Sequence, residues 1–324
     1  MTARPTVVVT RRLPAPVEAR LSELFDARLS PDDRPLDATA LAETVRTADG
    51  LLCTVTDRLT AKVLSTEPRR LRIIANFGVG YNHIDVAAAR ANDIVVTNTP
   101  DVLTDDTADL AVTLMLMVAR RTGEGERVVR DGEWTGWGPT HMLGTRVTGK
   151  TLGLIGMGRI GRGVAYRARH GFGMRVLFYD PAPVPEDEVV RLGAERRDSI
   201  EAVLRESDFV SLHCPATPET RHLMNADRLA EMQPAAFLIN TSRGDVVDEA
   251  ALVEALCAHT IAGAGLDVFE REPAVTPALL GMNNVVLLPH LGSATHETRV
   301  AMGERAIQNL VAFFRGEPPR DQVT

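Results

Sequence analysis

The chain alternates short apolar runs with longer stretches in which apolar residues recur at helical spacing. In the first hundred residues the apolar runs are 6–10, 50–55, 71–77 and 93–98, and the segment from Pro14 to Phe25 has a helical pattern. Uninterrupted apolar runs are typical of parallel strands buried on both faces, and the helices between them return the chain to the same edge of the sheet. The pattern therefore predicts a mostly parallel sheet with helices on both faces.

A long helical pattern, from about Asp105 to Arg130, separates this series from a second one. After the loop 131–144, which is rich in glycine and tryptophan, six more apolar runs follow: TLGLIG, RVLFYD, FVSLHC, AFLINT, AGLDV and VVLLP. Six is the number of strands in a dinucleotide-binding sheet. A last helix is predicted from about Ala294 to Arg315. The fold class is therefore α/β, with two doubly wound parallel sheets.

Composition excludes several classes of protein. The 324 residues suffice for two domains, and the formal net charge of -7 gives no basic surface for nucleic acid. The longest aliphatic run, 110–119, is about half of what a bilayer requires, and the first ten residues lack a signal-peptide core. Three scattered cysteines, Cys53, Cys214 and Cys257, are typical of reduced thiols in a cytoplasmic protein. No spacing of cysteine and histidine indicates a metal.

The second series opens with a glycine motif. Gly156, Gly158 and Gly161 form G-x-G-x-x-G between a predicted strand and a predicted helix. Glycine turns are common, but a preceding strand and a following helix place the free N–H groups of the helix where a pyrophosphate binds. An acidic residue is expected about 20 residues further on, and Asp180 ends the next strand. The segment predicts a dinucleotide site.

Asp180 also bears on the choice of dinucleotide. A carboxylate there accepts hydrogen bonds from the adenosine ribose and repels a 2′-phosphate. The residues that follow are prolines and acidic residues, with no arginine or lysine to neutralise a phosphate. NAD is the predicted cofactor, with NADH preferred over NADPH.

An arginine follows one of the buried strands. Residues 236–239 are apolar, the chain turns through 240–242, and Arg243 comes next. A lone arginine in such a loop is usually solvated, and the alternative is that an anion binds there. The segment NFGVGYNHID also follows a strand, and Gly78 and Gly80 allow consecutive N–H groups to curl into an anion-holding nest. His83 in this loop is expected at the surface.

The motifs GMGRIG, NTSRGDVVDEAAL, AGAGLDVFEREP and LLPHLGSAT stand in the order and spacing found in D-isomer-specific 2-hydroxyacid dehydrogenases. ANFGVGYNHID and TNTPDVLTDDTADLA most resemble the glyoxylate/hydroxypyruvate reductase branch. The resemblance covers essentially the whole chain. It implies a Rossmann NAD-binding domain, 102–292, inserted in a flavodoxin-like substrate domain of 1–101 plus 293–324, with the reaction in the cleft between them. It also implies a homodimer that reduces a small 2-keto acid, such as glyoxylate or hydroxypyruvate, with NADH.

By the same resemblance the catalytic residues are Arg243, Glu272 and His290. Hydride adds to the carbonyl carbon of a 2-keto acid, so negative charge develops on the carbonyl oxygen. A planar guanidinium can contact that oxygen and the neighbouring carboxylate, and a protonated imidazole can deliver the proton. Glu272 would orient His290 and favour its charged form. Without the motifs, His290 would read as a satisfied core histidine, and Glu272, before Pro273, as the start of a turn.

The resemblance assigns further contacts. The amides of Val79 and Gly80 would bind the substrate carboxylate, together with Arg243. Asp267 would meet the nicotinamide, and Trp137, in the presumed dimerisation region, would reach toward the partner. The residues implied to bind the cofactor are Thr107, Gly156, Gly158, Arg159, Ile160, Gly161, Asp180, Thr220, Thr241, Ser242, Asp267 and Gly292.

Three alternatives stay open. 3-Phosphoglycerate dehydrogenases share the scaffold but must neutralise a phosphate, and the strand-end segment 53–57 offers no base before Arg58. Formate dehydrogenases of this superfamily pair the histidine with a glutamine, where this chain has Glu272. The C-terminal-binding-protein corepressors use the fold as an NADH-sensing binding module. Consumption of NADH with glyoxylate separates that role from an enzyme.

Overall fold

The computed structural model describes residues 4–323, in which the chain forms two compact units. One unit contains the residues up to Leu103 together with those from Ser293 onward. The other is the continuous segment Thr104–Gly292. The second unit is thus inserted into the first.

The first unit is built on a parallel sheet of five strands, in the order β2-β1-β3-β4-β5. This is the flavodoxin-like order. The strands are β1 (Thr6–Val9), β2 (Asp26–Arg28), β3 (Gly50–Cys53), β4 (Ile73–Asn76) and β5 (Val95–Thr97). The helices are α1 (Ala15–Leu24), α2 (Ala38–Thr47), α3 (Ala61–Leu64), α4 (Val86–Ala91) and the last helix of the chain, α13 (His296–Phe314).

Helix α13 completes this unit from the far end of the sequence. It packs against β4 and α1. A β-carbon on Gly303 would lie 2.5 Å from the side chain of Val17, so the two helices approach more closely than any other residue would permit. The rings of Phe314 and Phe25 are 5.8 Å apart between centroids. The apolar face of α1 is therefore covered by residues that the chain supplies last.

The second unit is built on a parallel sheet of seven strands, in the order β12-β11-β10-β9-β6-β7-β8. This is the Rossmann order with one strand added beyond the sixth. The strands are β6 (Thr151–Ile155), β7 (Arg175–Tyr179), β8 (Ala194–Arg196), β9 (Phe209–Leu212), β10 (Phe237–Asn240), β11 (Gly263–Leu266) and β12 (Val285–Leu287). The helices are α5 (Thr104–Ala119), α6 (Thr122–Arg130), α7 (Arg159–Phe172), α8 (Glu186–Leu192), α9 (Ile200–Glu206), α10 (Ala226–Ala230), α11 (Glu249–Cys257) and α12 (Pro277–Leu280).

Each face of this sheet carries its own apolar core. On one face, α5 and α7 cover inward residues of β6 such as Leu152 and Leu154. On the other, residues of α9, α10 and α11 pack around Ile155, Val210 and Leu212. Burial on both faces is what the uninterrupted apolar strands predicted. The α/β class with two doubly wound sheets is confirmed.

Two strands were not predicted, and one predicted helix was wrong. Strands β2 and β8 were not predicted, because each has only three residues, most of them polar and exposed. The predicted helix from Asp105 to Arg130 is two helices, and the chain breaks at Arg121, whose backbone is left-handed with φ 54°.

No helix among residues 4–323 is long and apolar enough to cross a membrane.

Candidate active site

The glycine motif forms the turn between β6 and α7. Gly156 has φ 100°, and a β-carbon there would lie 2.8 Å from the backbone of His213, so only glycine fits. A β-carbon on Gly161 would lie 2.2 Å from the carbonyl oxygen of Gly156, which lets the helix begin close to the strand. Gly158 faces open space in front of the first turn of α7. Gly156 thus permits the turn, Gly158 leaves space for a ligand, and Gly161 permits the close contact between helix and strand.

Asp180 lies beside this turn at the end of β7. One carboxylate oxygen accepts the N–H of Met157 at 2.7 Å, and the other accepts the N–H of Ala182 at 2.9 Å. These two bonds hold the carboxylate next to the glycine turn. A ribose bound at this turn would meet a fixed acceptor.

The prediction that no base lies near Asp180 was wrong. Arg196 belongs to β8, which pairs with β7 so that Arg196 lies opposite Phe178. Its guanidinium donates hydrogen bonds to the carbonyl oxygens of Asp180 and Ala182 and lies 5.8 Å from the centre of the Phe178 ring. The base comes from a neighbouring strand, so the residues next to Asp180 along the chain gave no sign of it.

Strands β10, β11 and β12 end in one row. Asn240 pairs with Leu266, and Leu266 pairs with Leu287. The segments that follow carry Arg243, Asp267 and His290, respectively. Parallel strands therefore bring to one edge of the sheet groups that lie far apart in sequence.

The turn that carries Arg243 is held by Asn240. The side-chain oxygen of Asn240 accepts the N–H and the hydroxyl of Ser242, and its amide nitrogen donates to the carbonyl of Arg243 at 2.9 Å. The guanidinium donates to the carbonyl of Ser242 at 2.6 Å. Burial lowers the pKa of Arg243, and the charge of Glu272 opposes that shift. The arginine is held in a defined place and is no solvated loop residue.

Gly244 brings this turn against the segment that leads to Glu272. A β-carbon on Gly244 would lie 1.9 Å from the carbonyl carbon of Phe269, so the two backbones are in direct contact. The N–H of Phe269 in turn donates to a carboxylate oxygen of Glu272 at 3.0 Å. Sequence reasoning missed Gly244, although a glycine directly after a candidate arginine is a signal for close backbone approach.

Glu272 and His290 form a hydrogen-bonded pair. Nδ1 of His290 lies 2.8 Å from the second carboxylate oxygen of Glu272. Burial works to raise the pKa of Glu272, but the bond and charge of His290, with the charge of Arg243, outweigh it, so the pKa lies below its usual value. The carboxylate therefore stays ionised. The other ring nitrogen of His290, Nε2, is the one that a substrate could meet.

Asp267 holds the segment that carries His290. Its two carboxylate oxygens accept the N–H groups of Leu291 at 2.6 Å and of Gly292 at 2.8 Å, and its carbonyl accepts the N–H of His290. Burial raises the pKa of Asp267 against these bonds. His290 has a left-handed backbone, φ 57°, which the three bonds to Asp267 stabilise.

The chain is similar to known proteins over almost its whole length. Residues 112–292 match the family described as D-isomer specific 2-hydroxyacid dehydrogenase, NAD binding domain. The glyoxylate reductase of Thermococcus litoralis is 47% identical over 324 residues, which cover 99% of this chain and 97% of that protein. The glyoxylate reductase of Thermococcus kodakarensis is 48% identical over 320 residues, which cover 98% of this chain and 95% of that protein. The crystal structure of an NADPH-dependent glyoxylate/hydroxypyruvate reductase from Sinorhizobium meliloti, in complex with NADP and malonate, has a TM-score of 0.88 at 38% identity, covering 99% of this chain and 97% of that one.

The chain belongs to the D-isomer-specific 2-hydroxyacid dehydrogenases. The predicted family is confirmed, and this dehydrogenase is an oxidoreductase that uses a nicotinamide coenzyme.

The residues of the dehydrogenase fit such a coenzyme. Besides the glycine turn and Asp180, the buried Thr241 has a hydroxyl oxygen without a hydrogen-bond partner in the described part of the chain, which a bound group could satisfy. Thr107 donates to the carbonyl of Gly292 at 2.9 Å, so these two residues, distant in sequence, do meet.

Three more of the predicted cofactor residues are exposed or half-buried. Arg159 and Ile160 begin helix α7, the first exposed and the second half-buried. The hydroxyl of Thr220 donates to the carbonyl of Pro215 at 2.6 Å and accepts the N–H of Thr217, so it stabilises its own loop. A coenzyme contact from each of these three residues stays a prediction.

In the other unit, the segment with Gly78 and Gly80 differs from the predicted nest. Neither glycine has a left-handed backbone, so the segment does not curl through glycine conformation. Val79 and Gly80 are half-buried, directly after the end of β4. His83 is buried, with 6% exposure, and its carbonyl accepts the N–H of Leu59, so the expectation of a surface histidine was wrong. His83 lies within the turn in which the N–H of Ile84 bonds the carbonyl of Tyr81.

Proposed function

We propose that this dehydrogenase reduces a small 2-keto acid, glyoxylate or hydroxypyruvate, to the corresponding 2-hydroxy acid with NADH. The observation that carries the proposal is the bonded pair of Glu272 and His290, held by Gly244 next to the turn of Arg243. Relatives from Thermococcus, Pyrococcus and Aeropyrum that are named glyoxylate reductase support the substrate class.

Each of the three residues has a separate task. A nicotinamide coenzyme, when bound, would supply the hydride that adds to the carbonyl carbon. His290 gives a proton from Nε2 to the carbonyl oxygen, because Nδ1 is engaged by Glu272. Glu272 keeps the imidazole oriented through its bond to Nδ1. Arg243 stabilises the negative charge that develops on the oxygen.

Recognition of the carboxylate is proposed for a second set of groups. The N–H groups of Val79 and Gly80 would bind it, with the guanidinium of Arg243 contacting both the carboxylate and the carbonyl oxygen. In this assignment the unit Thr104–Gly292 is the NAD-binding domain and the other unit is the substrate domain.

NADH is the proposed coenzyme, because the fixed carboxylate of Asp180 repels a 2′-phosphate. Arg196 lies close enough to weaken that repulsion without removing it, since it bonds backbone carbonyls and leaves the carboxylate of Asp180 in place. We therefore expect a moderate preference for NADH over NADPH.

We propose a homodimer formed through the segment 129–143. Four large apolar side chains are exposed there: Val129, Trp134, Trp137 and Leu143. Trp137 is 85% exposed, which is unusual for a residue of its size in a monomer. Light scattering on the purified chain of 35.2 kDa tests this directly.

The free thiols of Cys53, Cys214 and Cys257 support the cytoplasm as the compartment.

A panel of keto acids tests the proposed function. Glyoxylate, hydroxypyruvate, pyruvate and 3-phosphohydroxypyruvate are each assayed with NADH and with NADPH, and kcat/KM is compared. The expected result is fastest turnover of glyoxylate or hydroxypyruvate with NADH. Failure to reduce any of the four acids would reject the proposal, and preference for the phosphorylated acid would replace it with phosphoglycerate chemistry.

A further inference from the structure

The segment after β4 is held by a buried side-chain amide. Nδ2 of Asn76 donates to the carbonyl oxygen of Gly78 at 3.0 Å and to that of Gly80 at 3.1 Å. Asn76 is 1% exposed, and its Oδ1 lies 3.8 Å from the Sγ of Cys53, whose thiol can donate to it. With its oxygen turned to Cys53, the amide presents its nitrogen to the two carbonyls.

A second asparagine holds the carbonyl between them. Nδ2 of Asn98 donates to the carbonyl oxygen of Val79 at 2.8 Å. The N–H of Thr99 adds a bond to the carbonyl of Gly78 at 3.0 Å. Three successive carbonyl oxygens are therefore bound by groups from β4 and from the residues after β5.

The direction of the carbonyls sets the direction of the amides. In a trans peptide the C=O of one residue and the N–H of the next point in opposite directions. With the carbonyls of Gly78 and Val79 drawn toward the two asparagines, the N–H groups of Val79 and Gly80 point away from them. Neither N–H donates to an acceptor in the described residues. Because neither glycine is left-handed, the side chains supply this geometry.

We propose that Asn76 and Asn98 are positioning residues that aim the amides of Val79 and Gly80 at the carboxylate of the substrate. The inference rests on the proposed function, in which these amides bind that carboxylate. An asparagine suits the task at position 76, because one nitrogen carries two protons for two carbonyls. Aspartate has the same shape and no such donors.

The test uses one isosteric change at three positions of the full-length enzyme. Asn76→Asp and Asn98→Asp each replace a donor by an acceptor that repels the bound carbonyls. Asn92→Asp is the matched control, because Nδ2 of Asn92 also bonds a carbonyl, that of Ala88, at the end of α4 in the same unit. For each variant we measure KM and kcat with glyoxylate, the Kd of NADH by fluorescence, and Tm.

We expect the KM for glyoxylate to rise about 10- to 100-fold in Asn76→Asp and about 3- to 10-fold in Asn98→Asp. The change in kcat should stay within a few-fold, and the Kd of NADH and all constants of Asn92→Asp should stay at wild-type values. A purely structural role would lower kcat and Tm together and leave KM near its wild-type value.

The possible failures can be told apart. If wild-type enzyme reduces glyoxylate and both variants keep its KM, the positioning role is wrong while the proposed function stands. If wild-type enzyme reduces no keto acid, the proposed function itself fails. If Asn76→Asp does not fold, Asn98→Asp, on a half-buried residue, decides the matter through the same split between KM and kcat.

Discussion

At the scale of single residues, Arg243 carries two tasks that kinetics can separate. A guanidinium that only binds the carboxylate would affect KM, whereas one that also stabilises the developing oxyanion must affect kcat. We expect Arg243→Ala to raise KM and to lower kcat on the order of 10²- to 10³-fold, comparable to the loss of one oxyanion donor. Steady-state kinetics with glyoxylate measures both constants.

Two further measurements complete that experiment. Arg243→Lys should recover part of the activity, because an ammonium keeps the charge and lacks the planar fork. The Kd of NADH should change little in either variant. Wild-type kcat and KM in Arg243→Ala would show that the arginine takes no part in the reaction.

The Glu272–His290 pair predicts the pH dependence of the enzyme. Reduction consumes a proton through His290 and oxidation releases one, so a rise in pH should slow reduction relative to oxidation of the hydroxy acid. On the acid side activity should persist, because the pKa of Glu272 lies below its usual value and the carboxylate stays charged. In Glu272→Gln the ionisable carboxylate is absent, so any loss of reduction that protonation of Glu272 causes at low pH should disappear. A profile of kcat/KM that is the same in both enzymes would contradict this pairing.

Coenzyme choice depends on two residues of opposite charge. We expect wild-type kcat/KM to favour NADH over NADPH about tenfold or more, equivalent to about 1.4 kcal/mol. Arg196→Ala should increase the NADH/NADPH ratio of kcat/KM about 3- to 10-fold, because NADPH binds more weakly without the guanidinium. Asp180→Ser should decrease that ratio. Arg205→Ala, which removes the same charge from an arginine paired with Glu231, is the control. Equal ratios in the two arginine variants would remove Arg196 from coenzyme choice.

Single residues were singled out where they lie in ordered motifs. Arg243, Glu272 and His290 stood out through the motifs of the family, because each of them alone has an ordinary structural reading. Asn76 and Arg196 did not stand out. Their roles depend on which backbone carbonyls come within reach after folding, and no local pattern encodes that.

At the scale of elements, strong apolar runs were predictable and short polar ones were not. Strands such as β6 and β10 are buried on both faces and need continuous apolar sequence. Strands β2 and β8 lie at sheet edges, where a neighbouring strand supplies the hydrogen bonds and little apolar sequence is required. The break between α5 and α6 likewise follows from one left-handed residue, Arg121. The helical pattern of the sequence continues across this residue and does not show the break.

The contact between two loops at Gly244 gives a prediction at this scale. In Gly244→Ala the new β-carbon would lie 1.9 Å from the carbonyl carbon of Phe269, so the loop of Arg243 must move away from the loop of Glu272. We expect a loss of about 1–3 kcal/mol in the free energy of unfolding and a fall in kcat of at least tenfold. Thermal unfolding and steady-state kinetics measure the two effects.

Gly171→Ala is the matched control for that substitution. Gly171 lies in α7, with nothing within 4 Å of an added β-carbon. Alanine there should stabilise the helix by up to about 1 kcal/mol and leave kcat unchanged. Wild-type kcat in Gly244→Ala would mean that the contact does not set the position of Arg243.

At the scale of the whole molecule, the two units differ in how they depend on the sequence. The unit Thr104–Gly292 contains all of its own strands and helices. The other unit needs α13, because Gly303 and Phe314 pack onto α1. We expect a fragment of residues 1–103 to lack a cooperative thermal transition in circular dichroism, and added peptide 293–324 to restore one. A cooperative transition in the fragment alone would show that α13 is dispensable for folding.

The insertion also sets an order of events on the ribosome. Synthesis at roughly 5–20 residues per second puts about 10 to 40 seconds between the emergence of β5 and that of α13. Throughout that interval the apolar surfaces of α1 and β4 that await α13 face water, and a chaperone could bind them. The inserted unit can close its sheet as soon as β12 leaves the exit tunnel. The inserted unit, although its synthesis begins second, is therefore expected to finish folding first.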